Sequence, residues 1–147
     1  MSENQLEFLK LNQKAITPSK AHAGDAGFDL YCLDNFKLDP GERALIATGI
    51  AIKLPRGHAG LIIPRSGLAL KHGISVVNSP GLIDEGYRGE IKVILINTDN
   101  TSGISFLSGE RIAQLAIIAV AQVHLVEVKE ISDSSRGQGG FGSSGRR

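Results

Sequence analysis

The stretch IATGIAIKL, residues 46–54, repeats an apolar or β-branched side chain at every second position. A β-strand sends successive side chains to opposite faces, so this period of two predicts a strand with one buried face. The buried face would carry Ile46, Thr48, Ile50, Ile52 and Leu54. The segment DPGE just before it, with Pro40 and Gly41, favours a turn. We therefore expect a strand that leaves a turn and packs against a core.

Short apolar runs separated by glycine and proline continue along the chain. They are HAGLIIP (58–64), GISVVNSP (73–80), GEIKVILIN (89–97) and QLAIIAVAQVHLV (114–126). The last predicts one long, largely buried strand that includes His124. SGLALKHG (66–73) predicts a single helical turn. SENQLEFL (2–9) fits a capped helix start, with Ser2 and Gln5 in capping-box spacing, whereas the overlapping LEFLKL (6–11) fits a strand equally well. Many short strands with this punctuation predict an all-β sandwich or barrel.

The composition is that of an ordinary globular domain. The chain has 147 residues, of which 41% are hydrophobic and 21% charged, and a single domain of this size can bury its own core. A net charge of +1 gives no general attraction to nucleic acid or membrane. Cys32 is the only cysteine, which excludes an intrachain disulfide and a cysteine-based zinc site. With no signal-peptide core and no span-length apolar run, we expect a cytoplasmic protein without membrane or stable nucleic-acid partners.

The composition changes near residue 132. SDSSRGQGGFGSSGRR, residues 132–147, is rich in glycine and serine and is typical of a disordered arm. We therefore expect a β domain over residues 1–131 and a flexible, glycine-rich C-terminal arm over residues 132–147.

Two segments carry polar groups whose function is open when each is taken alone. PRSGLA (64–69) offers the Arg65 guanidinium, the Ser66 hydroxyl and an open backbone at Gly67, a set that suits phosphate. A helix start with an arginine salt bridge explains the same residues equally well. AGDAGFDLYC (23–32) places Asp29 among small residues, for which a glycine-rich turn is the simpler explanation.

Two further segments combine polar side chains with strand patterns. NSPGLIDEGYRGEIKV (78–93) predicts a hairpin with a longer loop that holds Asp84 and Tyr87. A carboxylate there can accept a proton from water, and a tyrosine ring makes a flat wall. In GERIAQLAI (109–117), Arg111 and Gln114 interrupt a strand that otherwise resembles a core strand. A plain hairpin and a strand with one solvent face are the simpler explanations of each segment alone.

Together and in this order, the segments resemble the trimeric dUTP pyrophosphatase (dUTPase) family. Its five motifs correspond to AGFDL (26–30), PRSGLA (64–69), GLIDEGYRGEIKV (81–93), GERIAQL (109–115) and RGQGGFGSSG (136–145). The resemblance implies a distorted jelly roll, dUTPase-like, assembled as a homotrimer with active sites shared between subunits. It also implies Mg²⁺-dependent hydrolysis of dUTP to dUMP and pyrophosphate, which limits uracil incorporation into DNA and supplies dUMP for dTMP synthesis.

The resemblance implies a role for each matching residue. Asp84 would be the base that activates the water attacking the α-phosphate in line, and Gln114 would bind near that water. Asp29 would contact Mg²⁺ through water, the ion being held mainly by the triphosphate. The other substrate contacts would come from Arg65, Ser66 and Gly67 at the phosphates, Asn78, Gly81, Leu82 and Ile83 around uracil, Tyr87 under the deoxyribose, and Lys92.

The arm also receives a role from the resemblance. Residues 136–145 would fold over the bound nucleotide at a site made by neighbouring subunits. Phe141 would stack on uracil and Arg136 would pair with the γ-phosphate. Backbone and hydroxyl donors would come from Gly142, Ser143 and Ser144.

Two other functions stay open at this point. One is a dCTP deaminase or a bifunctional relative, which shares the fold and some of the motifs. The intact GLIDEGYRG segment (81–89) and the phenylalanine of the arm favour the pyrophosphatase. The other is a non-enzymatic jelly-roll protein that binds a partner or a nucleotide, which would not need Asp84, Gln114 and the arm together.

Overall fold

A computed structural model describes residues 5–140 of the chain. Strands and one short helix follow one another in this order: β1 Glu7–Lys10, β2 Gly27–Tyr31, β3 Phe36–Leu38, β4 Arg43–Lys53, β5 His58–Ile63, α1 Ser66–His72, β6 Ile74–Val76, β7 Gly81–Ile83, β8 Glu90–Asn97, β9 Ile104–Phe106 and β10 Arg111–Ala119. The predicted helical turn is present as α1, and LEFLKL contains a strand rather than a helix start.

The strands form two four-stranded sheets and one small pair. The sheet orders are β1-β4-β8-β6 and β2-β10-β5-β7, with β3 and β9 paired separately, and every pairing is antiparallel. From β4 to β8 the chain alternates between the two large sheets, as the strands of a jelly roll do. The predicted all-β, jelly-roll sandwich is confirmed.

Both large sheets bury their inner faces in one core. Fully buried side chains come from each sheet, among them Leu30 and Leu115 on one side and Val93 and Leu95 on the other. The predicted inner face of residues 46–54 is buried at every one of its positions. Period-two patterning therefore placed this strand correctly.

Strand β4 contains a bulge opposite Ile91 of β8. Its register jumps from Ala47, paired with Lys92, to Ala51, paired with Glu90, so β4 has two more residues there than β8. Gly49 lies in the bulge with φ +69°, and a Cβ atom there would be 2.8 Å from the Ala15 Cβ, so this position needs glycine. Hydrogen bonds that involve side chains replace the main-chain bonds missing between β4 and β8 at the bulge.

Two of these bonds can be named. The Thr48 hydroxyl donates to the Ile91 carbonyl at 2.6 Å, and the Gly49 N–H donates to Glu90 Oε1 at 2.8 Å. Buried backbone groups that miss their strand partner are costly unless another group bonds to them. The buried Thr48 is therefore part of the bulge rather than a misplaced polar residue.

The predicted long strand over residues 114–126 is wrong in its second half. Strand β10 ends at Ala119, which pairs with His58, the first residue of β5. Beyond Ala119, β5 has no further residue with which β10 could pair, and His124 lies in irregular, exposed chain. Several large apolar side chains are therefore exposed: Val120, Val123, Leu125, Val126, Val128 and Ile131. Irregular chain thus begins before the predicted arm boundary at residue 132.

The predicted hairpin over residues 78–93 is also wrong. Strand β7 pairs with β5, whereas β8 pairs with β4 and β6, so the two strands belong to different sheets. Residues 84–89 cross from one sheet to the other. The residues described contain no helix long and apolar enough to cross a membrane.

Candidate active site

A cavity of about 330 Å³ lies where the chain crosses between the sheets. Seven of the predicted site residues line it: Asn78, Gly81, Leu82, Ile83, Asp84, Tyr87 and Lys92. Strand β7 forms one wall, and it is an edge strand because its only sheet partner among the described residues is β5. An edge strand presents unpaired backbone N–H and C=O groups. The cavity therefore combines an open strand edge, an amide side chain, a carboxylate and an aromatic ring.

The loop that carries Asp84 is held by one main-chain bond and by the side chains of Arg88 and Glu85. The Tyr87 N–H donates to the Asp84 carbonyl at 3.0 Å. Arg88 donates to the carbonyls of Glu85 and Tyr87 at 2.7 and 2.8 Å. The Glu85 carboxylate accepts the Gly57 N–H at 2.7 Å, which ties the loop to the β4–β5 turn. Asp84 itself is exposed at the cavity, within reach of solvent water.

Tyr87 forms a fixed wall of the cavity. Its ring is 46% exposed, and its hydroxyl donates to the Glu90 carbonyl at 2.9 Å. Glu90 lines the same cavity, and its carboxylate lies 3.5 Å from the Lys92 Nζ atom. A tyrosine with its hydroxyl bonded presents a flat apolar face without an unsatisfied polar group.

A second group of predicted residues surrounds the buried carboxylate of Asp29. Its Oδ1 atom lies 3.2 Å from Arg65 Nε, and its Oδ2 atom lies 3.3 Å from an Arg111 guanidinium nitrogen. The Asp29 backbone N–H is fixed by the Ser19 carbonyl at 2.7 Å. Gln114, on β10, is the register partner of Asp29. Ser66 and Gly67 open helix α1 next to Arg65, and no side chain caps that helix start.

Arg111 was not assigned to the site from the sequence. It was noted only as a polar residue that interrupts a core-like strand, for which a solvent face is the simpler explanation. Arg111 is exposed, as that explanation implies, but its guanidinium also donates to the Asp29 carboxylate, and its carbonyl accepts a long bond of 3.4 Å from Arg65. The signal in GERIAQL was a charged residue in an otherwise apolar strand, whereas its partner lies 82 positions away in the sequence.

The two groups are not joined by a polar contact within the described part of one chain. Among residues 5–140, no hydrogen bond or ion pair joins the cavity residues to Asp29, Arg65 or Gln114. Asp84 and Gln114, both predicted to be catalytic, therefore lie in different groups. Arg136 donates to the Gly139 carbonyl at 2.9 Å within a turn of the irregular chain. Phe141, Gly142, Ser143 and Ser144 lie outside the described residues.

The residues present fit a magnesium ion that is held mainly by a ligand. The described part of the chain has no cluster of three or more His, Cys, Asp or Glu side chains that could cage a metal. Asp29 Oδ1 is nevertheless buried and lacks a hydrogen bond, because the nearby Arg65 Nε–H is not directed at it. An acceptor in this state can accept a hydrogen bond from a metal-bound water, and Mg²⁺ usually keeps several of its waters.

The single cysteine offers no nucleophile. The Cys32 thiol is buried and donates to the Leu107 carbonyl at 3.0 Å. Burial raises its pKa, which opposes formation of the reactive thiolate.

Proteins with similar sequences are named as enzymes that hydrolyse a deoxyuridine triphosphate. The chain is 54% identical over 141 residues to the deoxyuridine 5'-triphosphate nucleotidohydrolase of Thermobifida fusca, covering 96% of this chain and 79% of that protein. The protein of the same name from Nocardia farcinica is 57% identical over 136 residues, covering 92% and 82%.

Solved structures agree as well. A variant of the dUTPase of Staphylococcus bacteriophage 80alpha, with dUpNHpp, superposes with a TM-score of 0.91 at 31% identity, covering 97% of this chain and 99% of that one. A variant of the dUTPase of S. aureus phage phi11, described for the coordination of a structural Mg(II) ion, gives 0.82 at 26% identity, covering 88% and 100%. The family model described as dUTPase matches residues 13–145. This chain belongs to the dUTPase family.

Proposed function

We propose that the protein hydrolyses dUTP to dUMP and pyrophosphate with Mg²⁺, in a homotrimer whose active sites are shared between subunits. Membership of the dUTPase family makes the chain a dUTP-hydrolysing enzyme, and the finer steps below are our proposal. The observation that carries it is the exposed Asp84 carboxylate at the mouth of a cavity with an open strand edge and a fixed tyrosine. The product dUMP would supply dTMP synthesis, and removal of dUTP would limit uracil in DNA. A cytoplasmic location stays a prediction.

Uracil would bind to the open edge of β7. Its Watson–Crick edge presents O4 as acceptor and N3–H as donor, which an edge strand can match with alternating N–H and C=O groups. The backbone of residues 82–84 and the Asn78 amide line the cavity where such bonds would form. Cytosine reverses the pattern at position 4 and lacks the N3 proton, so a site built on these bonds would reject it by on the order of 10⁴-fold.

The deoxyribose would pack on the Tyr87 ring. The ring is fixed through its hydroxyl, so it forms a wall of defined height rather than a mobile side chain. A ribose 2′-hydroxyl would meet this wall, which supports selectivity for deoxynucleotides. Lys92, at the same cavity, would add a positive charge.

The triphosphate would bind at Arg65, Ser66 and Gly67. Two arginines with fixed orientations and free N–H groups at a helix start suit phosphate oxygens. Asp29 would hold Arg65 and Arg111 apart and in place, and its Oδ1 atom would accept from a metal-bound water. Bound with the triphosphate, Mg²⁺ would neutralise part of the phosphate charge.

Asp84 would act as the general base. Its carboxylate would take a proton from the water that attacks the α-phosphorus, the P–O bond to the β-phosphate would break in line, and pyrophosphate would leave. Gln114 would position the same water or the α-phosphate from the other group. Proton transfer to a positioned carboxylate contributes about 10²–10⁴-fold to rate.

The separation of the two groups supports a shared site. Asp84 and Gln114 would need to approach one substrate, yet no hydrogen bond or ion pair joins their groups among the described residues of one chain. The apolar side chains between Val120 and Ile131 give a second copy a surface to cover, Leu125 being 100% exposed. Exposed apolar chain of this extent marks an interaction surface. Arg136 and Phe141 would then close over the nucleotide from a neighbouring subunit.

The reaction is tested by pyrophosphate release with Mg²⁺ on dUTP, dCTP, dTTP and UTP in parallel, with products identified. We expect dUMP and pyrophosphate from dUTP alone. Uracil products from dCTP would indicate a deaminase. Absence of turnover on all four in a folded sample would favour a binding protein.

The shared site is tested by mixing two inactive variants. Asp84→Asn disables the cavity group and Arg65→Ala disables the charged group, so mixed trimers would contain intact sites, whereas sites built by one chain would not recover. We expect activity from co-expressed variants and none from either alone. Light scattering should give three times the chain mass of 15.6 kDa. A monomer with full activity would contradict the proposal.

A further inference from the structure

The ring of Tyr87 lies against the backbone of Gly89, two residues further along. A Cβ atom on Gly89 would be 2.5 Å from the Tyr87 hydroxyl oxygen, 2.7 Å from Cζ and 3.1 Å from Cε2. Side-chain carbons do not approach other heavy atoms this closely in packed proteins. Any residue larger than glycine at position 89 must therefore displace the ring or the backbone below it.

The tip of the same ring is held from a second direction. The Tyr87 hydroxyl donates to the Glu90 carbonyl at 2.9 Å, and Glu90 is itself fixed, because its Oε1 atom accepts the Gly49 N–H of the β4 bulge. The contact with Gly89 and the bond to Glu90 together restrict the position of the ring. Both contacts are made by main-chain groups at the start of β8.

We infer that Gly89, together with the Glu90 carbonyl, determines the sugar selectivity of the site by fixing the height of the Tyr87 ring. Tyr87 and Glu90 both line the cavity. The ring can lie this deep only because position 89 has no side chain, and at this depth a 2′-deoxyribose fits while a 2′-hydroxyl does not. Gly89 is a positioning residue that acts through Tyr87. The inference rests on the proposed function, since it assigns one part of its selectivity.

The test compares Gly89→Ala with Gly86→Ala. Gly86 lies in the same loop, and a methyl group there meets nothing within 4 Å, so it controls for loss of glycine flexibility. The measured quantity is kcat/KM for dUTP divided by kcat/KM for UTP. We expect this ratio to fall about tenfold in Gly89→Ala, the effect of one methylene-sized misfit, and to stay unchanged in Gly86→Ala. KM for dUTP should rise more than kcat falls, because the ring does not touch the reacting phosphorus.

Two further variants keep the inference testable if Gly89→Ala folds poorly. Tyr87→Ala removes the ring with which a side chain at position 89 would clash, so adding Gly89→Ala to it should leave the substrate ratio at the Tyr87→Ala value. Tyr87→Phe keeps the ring without the bond to Glu90, and its ratio should fall less than in Gly89→Ala.

Four outcomes would contradict the inference, one part of it, or the proposed function. A wild-type ratio in Gly89→Ala, or an equal effect of Gly89→Ala with and without the ring, would overturn the inference. An unchanged ratio in Tyr87→Phe would overturn the part assigned to the Glu90 carbonyl. A wild-type protein that does not hydrolyse dUTP would reject the proposed function instead.

Discussion

The cavity beside Asp84 and the charged group around Asp29 are built in opposite ways. Hydrogen bonds between side chains and main-chain groups hold the cavity wall: the Arg88 and Tyr87 side chains donate to main-chain carbonyls, and the Glu90 carboxylate accepts from the Gly49 N–H of the bulge. The charged group depends on one buried carboxylate between two guanidinium groups. The end of the site that would bind base and sugar is thus held by neutral main-chain groups, whereas the end that would bind phosphate depends on charge balance.

The largest expected effect is that of Asp84→Asn. The amide keeps the size of the side chain but cannot act as base, so kcat should fall on the order of 10³-fold. Because none of the hydrogen bonds that hold the cavity wall in the described residues uses the Asp84 carboxylate, affinity for a non-hydrolysable dUTP analogue should change only a few-fold. Steady-state kinetics and calorimetry measure the two quantities. The neighbouring Glu85→Gln keeps an acceptor for the Gly57 N–H and should retain most activity. A wild-type kcat in Asp84→Asn would contradict the assigned base.

Deletion of residues 136–147 should have the next largest effect. It removes Arg136 and Phe141, which would contribute a charged hydrogen bond and a stacked ring, so kcat/KM should fall on the order of 10²-fold. The β sandwich lies outside the deleted segment, and the melting temperature and oligomeric mass should therefore be retained. Full activity in the truncated chain would remove the arm from the site.

Asp29→Asn should affect the charged group and spare the cavity. Without the carboxylate charge, Arg65 and Arg111 repel each other and lose their orientation, so kcat/KM for dUTP should fall about tenfold. Inhibition by deoxyuridine, which has no phosphate, should not change. Asp25→Asn, in the same segment, is the matched control, because its amide oxygen can still accept the His22 N–H that the carboxylate accepts at 2.8 Å. If Asp29→Asn weakened deoxyuridine binding as much as it lowered kcat/KM for dUTP, the two groups would not be separate.

The smallest expected effect is on stability, in Thr48→Val. Valine has the right shape but leaves the Ile91 carbonyl without the hydroxyl donor, which costs about 1–3 kcal/mol. Thr48→Ser keeps the donor and should lose less. Urea denaturation measures both. If the Thr48→Val protein is as stable as the protein with Thr48, the bulge does not depend on this bond.

Local patterns predicted the strands well, because a period of two needs no knowledge of the partner. The inner face of residues 46–54 is buried as expected, and the turn at α1 is present. Pairing depends on distant residues, which explains both errors. The hairpin over residues 78–93 is absent since β7 finds β5, and the strand over 114–126 stops where β5 begins at His58.

The site was predictable to the extent that it is local in sequence. The cavity residues from Gly81 to Lys92 lie within one short segment, and the structure places them together. The charged group joins residues 82 positions apart, Asp29 and Arg111, and only the strand register brings them into contact. The assigned roles stay predictions, because nothing in the contacts tests turnover.

The bulge in β4 has a consequence for how the fold tolerates change in length. Between Ala47 and Ala51 the strand holds two residues more than β8, and an even surplus keeps the same side of the strand facing the core before and after Gly49. Removing or adding one residue here would turn the side chains of Ile50 and Ile52 outward. The side chains of Ala51 and Lys53 would then point into the core. Natural insertions and deletions at this point should therefore come in pairs of residues.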